Sequence, residues 1–223
     1  ATDEEYGILQ KIAQVPRKAT LAGKAKFALG IVTGNNKKFL TNEKLKGNEM
    51  ILKGSDIQKF RFMEGTSIIA YRPDLFQQTA PTQYYRAPQK LLYRFISSQL
   101  VFAYDDRQTL SLNSCNVLIP EIEGLEMKYV LAVLNSRVAQ FYFDKSFQSV
   151  KVLRSHIEQI PIPAIDRAGQ ESIIRLTDKL IAPAQDDDTA GNYEILDVAI
   201  AQIYGLSQEE YQAVKESVGA CSF

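Results

Sequence analysis

The spacing of apolar residues changes twice along the chain, and this restricts the fold more than any other feature of the sequence. Residues 3–15 carry apolar side chains at helical spacing and end at Pro16. Between residues 28 and 120 the apolar runs become short and are separated by turn residues, which is typical of β-strands. From Glu126 the helical period returns and predicts one helix of about five turns. We therefore expect an α+β fold in which a twisted, mostly antiparallel sheet or sandwich packs against helices.

The short apolar runs predict strands at residues 29–32, 50–53, 66–71, 91–96, 100–104 and 116–119. After them, the prolines of Ile160–Pro163 remove backbone donors and disfavour helix, so this segment is expected to divide the chain. A small C-terminal helical region should follow, with an acidic loop at residues 185–192 and a last helix capped by Ser207 and Glu210. The expected parts are a helical lead-in over 1–24, a main domain over 25–165 and a helical region over 166–223.

Charge is distributed unevenly, although the formal net charge is zero. Residues 1–165 carry 22 basic and 15 acidic side chains, a net charge of +7, whereas residues 166–223 carry 4 basic and 11 acidic side chains, a net charge of −7. A basic part is suited to a polyanion such as nucleic acid, and acidic helices are suited to packing against another protein part. The simpler alternative is a solvated surface.

Several classes of protein are disfavoured by what the sequence lacks. No apolar run approaches the ~20 residues that span a bilayer, and no signal-peptide pattern is present, so we expect a cytoplasmic location and no membrane partner. Cys115 and Cys221 are far apart, which argues against a disulfide framework or a zinc site, and His156 is the only histidine. The chain begins with Ala, which favours a fragment of a longer protein.

Motifs for methyl transfer and nucleotide hydrolysis are missing from the sequence. No two prolines are adjacent, so the Pro-Pro-aromatic loop that holds a flipped base is absent, and there is no Gly-x-Gly or Gly-Lys-Ser/Thr. We expect no catalytic residue, no metal and no cofactor in this chain. A metal nuclease built on Asp74, Glu126 and Lys128 is the least favoured alternative, because a loop position and a helix start explain these residues. The pair Asp105–Asp106 is expected to form a turn between strands.

Seven short motifs occur in an order that resembles the TaqI-like C-terminal specificity domains of adenine-N6 DNA methyltransferases and Type IIG restriction-modification enzymes. They lie at Leu29–Phe39, Lys53–Ile57, Lys90–Arg94, Leu112–Ser114, Tyr129–Ser136, Leu153–Pro163 and Asp197–Glu210. The last of them is also similar to Type I specificity subunits. The resemblance spans about residues 25 to 210.

This resemblance implies a domain that docks on double-stranded DNA and reads a short sequence. A methyltransferase domain, in the same chain or on a partner subunit, would flip and methylate an adenine. S-adenosylmethionine would then belong to the longer parent protein, and so would Mg²⁺ if a nuclease domain is attached. The sequence that is read does not follow from the resemblance.

Loops between the predicted strands supply the candidate DNA contacts. Cationic side chains hold phosphates and set the register, whereas amide and guanidinium groups can pair with base edges. Gly34 permits a close backbone approach in the turn after Val32, and the long aperiodic loop at 72–88 is expected to read bases. The candidate DNA-binding residues are Thr33, Gly34, Asn35, Asn36, Lys37, Lys38, Lys53, Arg72, Gln77, Gln78, Gln83, Tyr84, Arg86, Lys90, Arg94, Asn113 and Ser114.

Structural roles for these residues stay open at this point. The segment 33–38 could be a hairpin turn with solvated lysines, and Tyr93 could belong to the core, on the face opposite Lys90 and Arg94. A different class of function is a protein-interaction module, a specificity subunit that docks on a separate methyltransferase and whose sheet is only structural. Weak, salt-insensitive DNA binding would favour that alternative.

Overall fold

The structure is a computed structural model that describes residues 2–182 and 188–220. Part of the expected acidic loop at 185–192, and Cys221, lie outside the described residues. The helices are α1 (Asp3–Ala13), α2 (Asn36–Phe39), α3 (Thr82–Tyr85), α4 (Met127–Asn135), α5 (Arg137–Ser146), α6 (Arg154–Ile157), α7 (Arg167–Ile181), α8 (Thr189–Ile203) and α9 (Gln208–Val218). The strands are β1 (Lys18–Ala19), β2 (Ala25–Ala28), β3 (Leu40–Thr41), β4 (Glu49–Leu52), β5 (Ile68–Ile69), β6 (Lys90–Arg94), β7 (Phe102–Asp105), β8 (Leu110–Ser111), β9 (Cys115–Pro120) and β10 (Ile162–Pro163).

Two four-stranded sheets form the centre of the molecule. The first has the order β2-β9-β6-β7 and is antiparallel throughout. The second has the order β3-β5-β4-β8, in which only the β4–β8 pair is parallel. A separate ribbon joins β1 to β10, so the Pro-x-Pro segment pairs with the chain that follows α1. The predicted α+β class with mostly antiparallel strands is confirmed.

The first sheet separates two hydrophobic cores, because alternate residues of β6 point to opposite faces. Leu91 and Tyr93 belong to the core that also contains α1, α4, α5 and the C-terminal helices. Leu92 belongs to the second core, which lies between the two sheets. The suggestion that Tyr93 is a core residue is therefore correct.

The core that contains α1, α4, α5 and the C-terminal helices, called here the large core, includes residues from all three parts expected from sequence. The Tyr129 hydroxyl on α4 donates to Pro163 O at 2.7 Å, and Tyr204 at the end of α8 donates to Pro161 O. Arg137 at the start of α5 pairs with Asp197 on α8 at 3.0 Å. The helices after residue 165 thus pack directly on those before it, and the division into 1–24, 25–165 and 166–223 stays a prediction.

Two local predictions are wrong. The single helix expected from Glu126 is broken at Ser136, where the backbone is extended (φ −71°, ψ 155°) and the hydroxyl accepts from Ala139 N to cap α5. The strand expected at 29–32 lies earlier, at β2, and Ile31 and Val32 form only isolated bridges. By contrast, the capping box of Ser207 and Glu210 is confirmed.

The buried pair of Lys90 and Asp105 joins β6 to β7 at opposite positions in the register. Both side chains are 0% exposed, and the Lys90 amine also donates to Tyr85 O at 2.9 Å. Burial lowers the pKa of Lys90, and the carboxylate of Asp105 acts in the opposite direction. The prediction that Lys90 contacts DNA is therefore wrong, because its amine is enclosed by the fold.

Replacement of Lys90 by Met should lower the free energy of unfolding by about 3–5 kcal/mol, because it leaves a buried carboxylate without its cation. The matched control is Lys26→Met, whose pair with Glu121 is about half exposed (52% and 48%) and should contribute far less to stability, because water screens it. Urea denaturation of both variants measures the difference. Equal losses would contradict the role assigned to the buried pair.

Candidate nucleic-acid interface

A backbone junction at residues 30–32 brings the predicted DNA-binding segments together. Ile31 N donates to Ser111 O at 2.7 Å, and Asn113 N donates to Ile31 O at 3.1 Å. On the other side, Val32 and Gln78 exchange two backbone hydrogen bonds of 2.9 and 3.0 Å. The turn after Val32, the loop at 72–88 and Asn113 are therefore neighbours in space, although they are distant in sequence.

Gly30 makes this junction possible. Its N–H donates to Asn116 Oδ1 at 2.9 Å, and a Cβ atom at this position would lie 2.1 Å from Leu112 O. No residue with a side chain fits such a distance without moving the backbone. The second residue of the motif Leu29–Phe39 is thus a glycine that the packing requires.

The segment after Val32 is a single helical turn, α2, and not a hairpin turn. Gly34 has a positive φ of 79° and lies against Gln77, whose Cβ would be 3.1 Å from an added Cβ. Asn35 accepts from Lys38 N at 3.1 Å and caps the turn. Thr33 is buried and its hydroxyl donates to Asn36 Oδ1 at 2.5 Å. These contacts fix the backbone.

The lysines of α2 point outward. Lys37 and Lys38 are exposed, as are Asn35 and Asn36. The local hydrogen bonds use the side-chain oxygens of both asparagines, and their amide NH₂ groups are left as donors. The turn therefore presents two cations and two amides on one small surface.

The loop at 72–88 is held by two aromatic side chains. The Tyr85 hydroxyl donates to Leu29 O at 2.7 Å and accepts from Ala80 N at 2.9 Å. Phe76 is buried and packs edge-on against Phe39 of α2, with ring centroids 5.3 Å apart. Since these contacts hold the loop from beneath, its polar side chains face outward: Arg72, Gln77, Gln78 and Gln83 are exposed, and Tyr84 is partly exposed.

Two of the predicted arginines are committed to the protein itself. Arg86 makes a two-pronged ion pair with Glu49 (2.5 and 2.7 Å) and donates to Gln108 O, and its bonds to Glu49 raise its pKa. Arg94 donates through Nε to Gly54 O and Ile57 O, at 3.0 Å each. Both guanidinium groups hold the framework, although both residues are partly exposed and Arg86 also lines the groove beside the loop. Contact of Arg86 and Arg94 with DNA stays a prediction.

The remaining predicted residues lie at the rim of the same region. Ser114 Oγ accepts from Gly54 N at 3.0 Å, so its hydroxyl serves the framework. Lys53 is partly exposed and Asn113 is exposed. Arg72 is exposed, with Nε 3.9 Å from an Asp74 oxygen.

Sequence reasoning missed two residues beside the loop, Lys26 and Gln89. They line a groove of about 710 Å³ together with Gln83, Tyr84 and Ile119. The Lys26 amine lies 3.0 Å from Glu121 at the edge of the first sheet. An exposed lysine inside a predicted strand at 25–28 would have marked this edge, but the strand itself was placed too late in the chain.

The nuclease alternative gains no support from the geometry. Lys128 pairs with Asp178 at 2.6 Å, and Asp74 lies in a short 3₁₀ turn over Pro73–Leu75. Within residues 2–182 and 188–220, no group of three His, Cys, Asp or Glu side chains is placed to hold a metal ion. Over the same residues, no helix combines the length and the apolar character that crossing a membrane demands.

Fold and site together define a recognition module, in which a two-sheet framework holds polar loops at one surface. The family model for the TaqI-like C-terminal specificity domain matches residues 49–162. These are 114 of the 223 residues, about half of the chain. The chain belongs to this family and is a specificity domain of restriction-modification systems.

The chain is also similar to three individual proteins. A stretch of 52 residues is 48% identical to the Type II methyltransferase M.VspI of Vibrio sp. (strain 343), covering 23% of this chain and 12% of that protein. A structure from a study of complex assembly and conformational transition in the type I restriction-modification system matches with a TM-score of 0.51 and 12% identity, over 97% of this chain and 50% of that one.

The Type IIL restriction-modification enzyme MmeI, solved in complex with DNA, also has a TM-score of 0.51, with 11% identity over 86% of this chain and 36% of that one. At these identities the likeness shows the fold alone. The chain spans half or less of the length of each of these three proteins.

Replacement of Gly30 by Ala should lower the free energy of unfolding by about 1–3 kcal/mol, because the added methyl group forces the backbone away from Leu112. Gly7→Ala is the control, since Gly7 lies within α1 and nothing is within 4 Å of an added Cβ. That change should stabilise the protein by about 0.5–1 kcal/mol. Thermal or urea unfolding gives both values, and a Gly30 variant as stable as the Gly7 variant would refute the close approach.

Proposed function

We propose that this chain reads a short sequence in double-stranded DNA for an adenine-N6 methyltransferase of a restriction-modification system. Methyl transfer, with S-adenosylmethionine, would belong to a methyltransferase domain in the same chain or on a partner subunit. Mg²⁺ would be needed only if the parent protein carries a nuclease. The chain itself would contribute no catalytic group.

The observation that carries this proposal is the placement of exposed amides beside exposed cations. Gln77 and Gln78 lie directly against the turn that bears Lys37 and Lys38. Lysines neutralise phosphates without reading sequence, whereas a glutamine amide can pair with the N6 and N7 atoms of adenine. One surface therefore offers both kinds of contact that sequence recognition needs.

The stretch at residues 26–34 passes beside the loop at 77–89, with contacts of Val32 to Gln78 and of Leu29 to Tyr85. Both stretches therefore contribute to one surface.

The acidic C-terminal helices suit another partner. Glu194 and Asp197 on α8 bind Arg137 and Tyr211, so part of the negative charge is used within the large core region. The hydrogen bonds from Lys215 and Arg137 lower the pKa of Glu194 against the effect of its partial burial. We propose that α7–α9 act as a spacer or packing surface for the methyltransferase part, since their negative charge disfavours phosphate.

The salt dependence of DNA binding distinguishes this proposal from the alternative, a pure protein-interaction module. The full-length parent protein should bind its methylation site in duplex DNA with a steep loss of affinity as salt rises. Weak binding that is insensitive to salt and to sequence would refute the proposal and support the interaction module.

Reversal of charge at α2 should flatten the salt dependence. For Lys37→Glu with Lys38→Glu, the slope of log affinity against log salt should fall in magnitude by about 1.8, or ~0.9 for each phosphate that the protein no longer neutralises. The control is Arg175→Glu with Lys179→Glu, two exposed residues on α7. Titrations of the parent protein with labelled duplex at several salt concentrations give the slopes. An unchanged slope in the α2 variant would remove this turn from the interface.

Sequence discrimination should depend on the exposed amides of the 72–88 loop. Gln77→Ala, Gln78→Ala and Gln83→Ala should each cost about 1–3 kcal/mol on the cognate duplex wherever the amide contacts a base, and much less on a scrambled duplex. Gln202→Ala on α8 is the matched control. Arg86→Ala should instead lower the free energy of unfolding, because it breaks the pair with Glu49. Equal losses on both duplexes would mean that the loop positions DNA without reading it.

A further inference from the structure

The loop between β3 and β4, residues 42–48, carries an exposed leucine between two exposed lysines. Leu45 is 55% exposed and belongs to neither hydrophobic core. Its carbonyl accepts from Asn48 N at 3.1 Å, and Gly47 has a positive φ of 85°, which closes the turn behind it. Lys44 and Lys46 are exposed on either side, and Glu43 is exposed next to Lys44. The turn thus displays an apolar tip between two lysines, and the loop carries a net charge of +1.

The charges of this tip are not neutralised by the protein. Among the residues that the structure describes, no carboxylate lies within 4.0 Å of the Lys44 or Lys46 amine. A single exposed leucine is ordinary on a protein surface. An exposed leucine between two lysines that form no ion pair is suited to a ligand with an anionic surface and an apolar interior. Duplex DNA has this combination in its phosphates and stacked bases.

The topology of the second sheet connects this tip to the proposed interface. β3 and β4 both flank β5, and both begin beside Ile69. The chain therefore enters β3 from α2, and enters β4 from the 42–48 loop, at the same end of the sheet, where β5 leads on to Arg72. The loop leaves β3 at the other end, but β3 has only two residues. The loop and the turn that carries Lys37 and Lys38 are thus joined by one short strand.

We propose that Leu45 is a wedge that enters the minor groove of the bound duplex and partly unstacks one base step, while Lys44 and Lys46 contact the phosphates on either side. Apolar side chains inserted between base steps in this way kink DNA and increase the surface that the protein contacts. The inference rests on the proposed function, since it requires duplex DNA on this face. It adds a contact that depends on the deformability of a base step and not on hydrogen bonds to base edges.

The test uses the full-length parent protein and its cognate duplex, with the fluorescent base 2-aminopurine placed at one adenine after another. The wild-type protein should raise the fluorescence at one step, where the base is unstacked. Leu45→Ala should abolish this rise and weaken binding about tenfold, the effect expected when an apolar side chain is no longer buried against the DNA. Its salt slope should not change, because both lysines remain. Leu45→Met should keep the rise.

Two further variants complete the design. Lys44→Gln with Lys46→Gln should reduce the magnitude of the salt slope by about 1.8. Ile195→Ala, at a residue 58% exposed on α8, is the control and should leave fluorescence and affinity unchanged. Circular dichroism melting curves confirm that each variant is folded.

The outcomes separate this inference from the proposed function. If Leu45→Ala binds and unstacks like the wild type, the wedge is wrong, while sequence-specific binding that still depends on Lys37 and Lys38 leaves the proposed function intact. If Leu45→Ala loses affinity but the wild type shows no rise in fluorescence, the wedge is also overturned. That result would place Leu45 against a base edge in the major groove. Failure of the wild type to bind duplex DNA would overturn both.

Discussion

The close approach of the backbone at Gly30 to Leu112 is the constraint on which the recognition surface depends. The chain passes there between residues 111–113 and Gln78, and backbone hydrogen bonds hold it on both sides. The turn after Val32, the loop at 72–88 and Asn113 either begin at this junction or are fastened to it. Because backbone groups form the junction, the outward side chains are free to differ while the framework stays the same.

Cationic residues in this chain have two different uses, and the surroundings of each residue decide between them. Arg86, Lys90 and Arg94 bind carboxylates or carbonyls of the protein, with Lys90 wholly buried. Lys37 and Lys38 are carried on a turn whose own hydrogen bonds are already satisfied by Thr33 and Asn35. Lys90 is closed to any external anion, whereas Lys37 and Lys38 are open to one. Net charge counted along a sequence includes both kinds and so overstates the number of cations that the surface presents.

Local chemistry predicted much of the fold, and long-range contacts account for most of what it missed. The capping box at Ser207 and the alternating strand β6 follow from neighbouring residues and were predicted correctly. The break at Ser136 was missed, although Ser136 itself caps α5, and the long-range partner beside it could not be seen in the sequence: the Asn135 side chain exchanges two 2.9 Å hydrogen bonds with the backbone of Phe102. For the site, the exposed glutamines were found by composition, but the roles of Arg86 and Arg94 depend on partners 37 and 40 residues away.

The two faces of the first sheet separate the candidate recognition loops from the C-terminal helices. Its even-numbered β6 residues, Lys90, Leu92 and Arg94, face the second core and the recognition loops, whereas Leu91 and Tyr93 face the helical core. A substitution at residues 33–38 or in the loop at 72–88 therefore disturbs packing on one face of the sheet. The segment at 59–61, by contrast, contacts the helical side directly, through Lys59 to Asn135 O and Arg61 to Ala182 O. The hydrogen-bonded ladder of β9, β6 and β7 resists such displacement. The helical side can then keep one geometry while the recognition side takes different loops, which is the arrangement that a specificity domain needs.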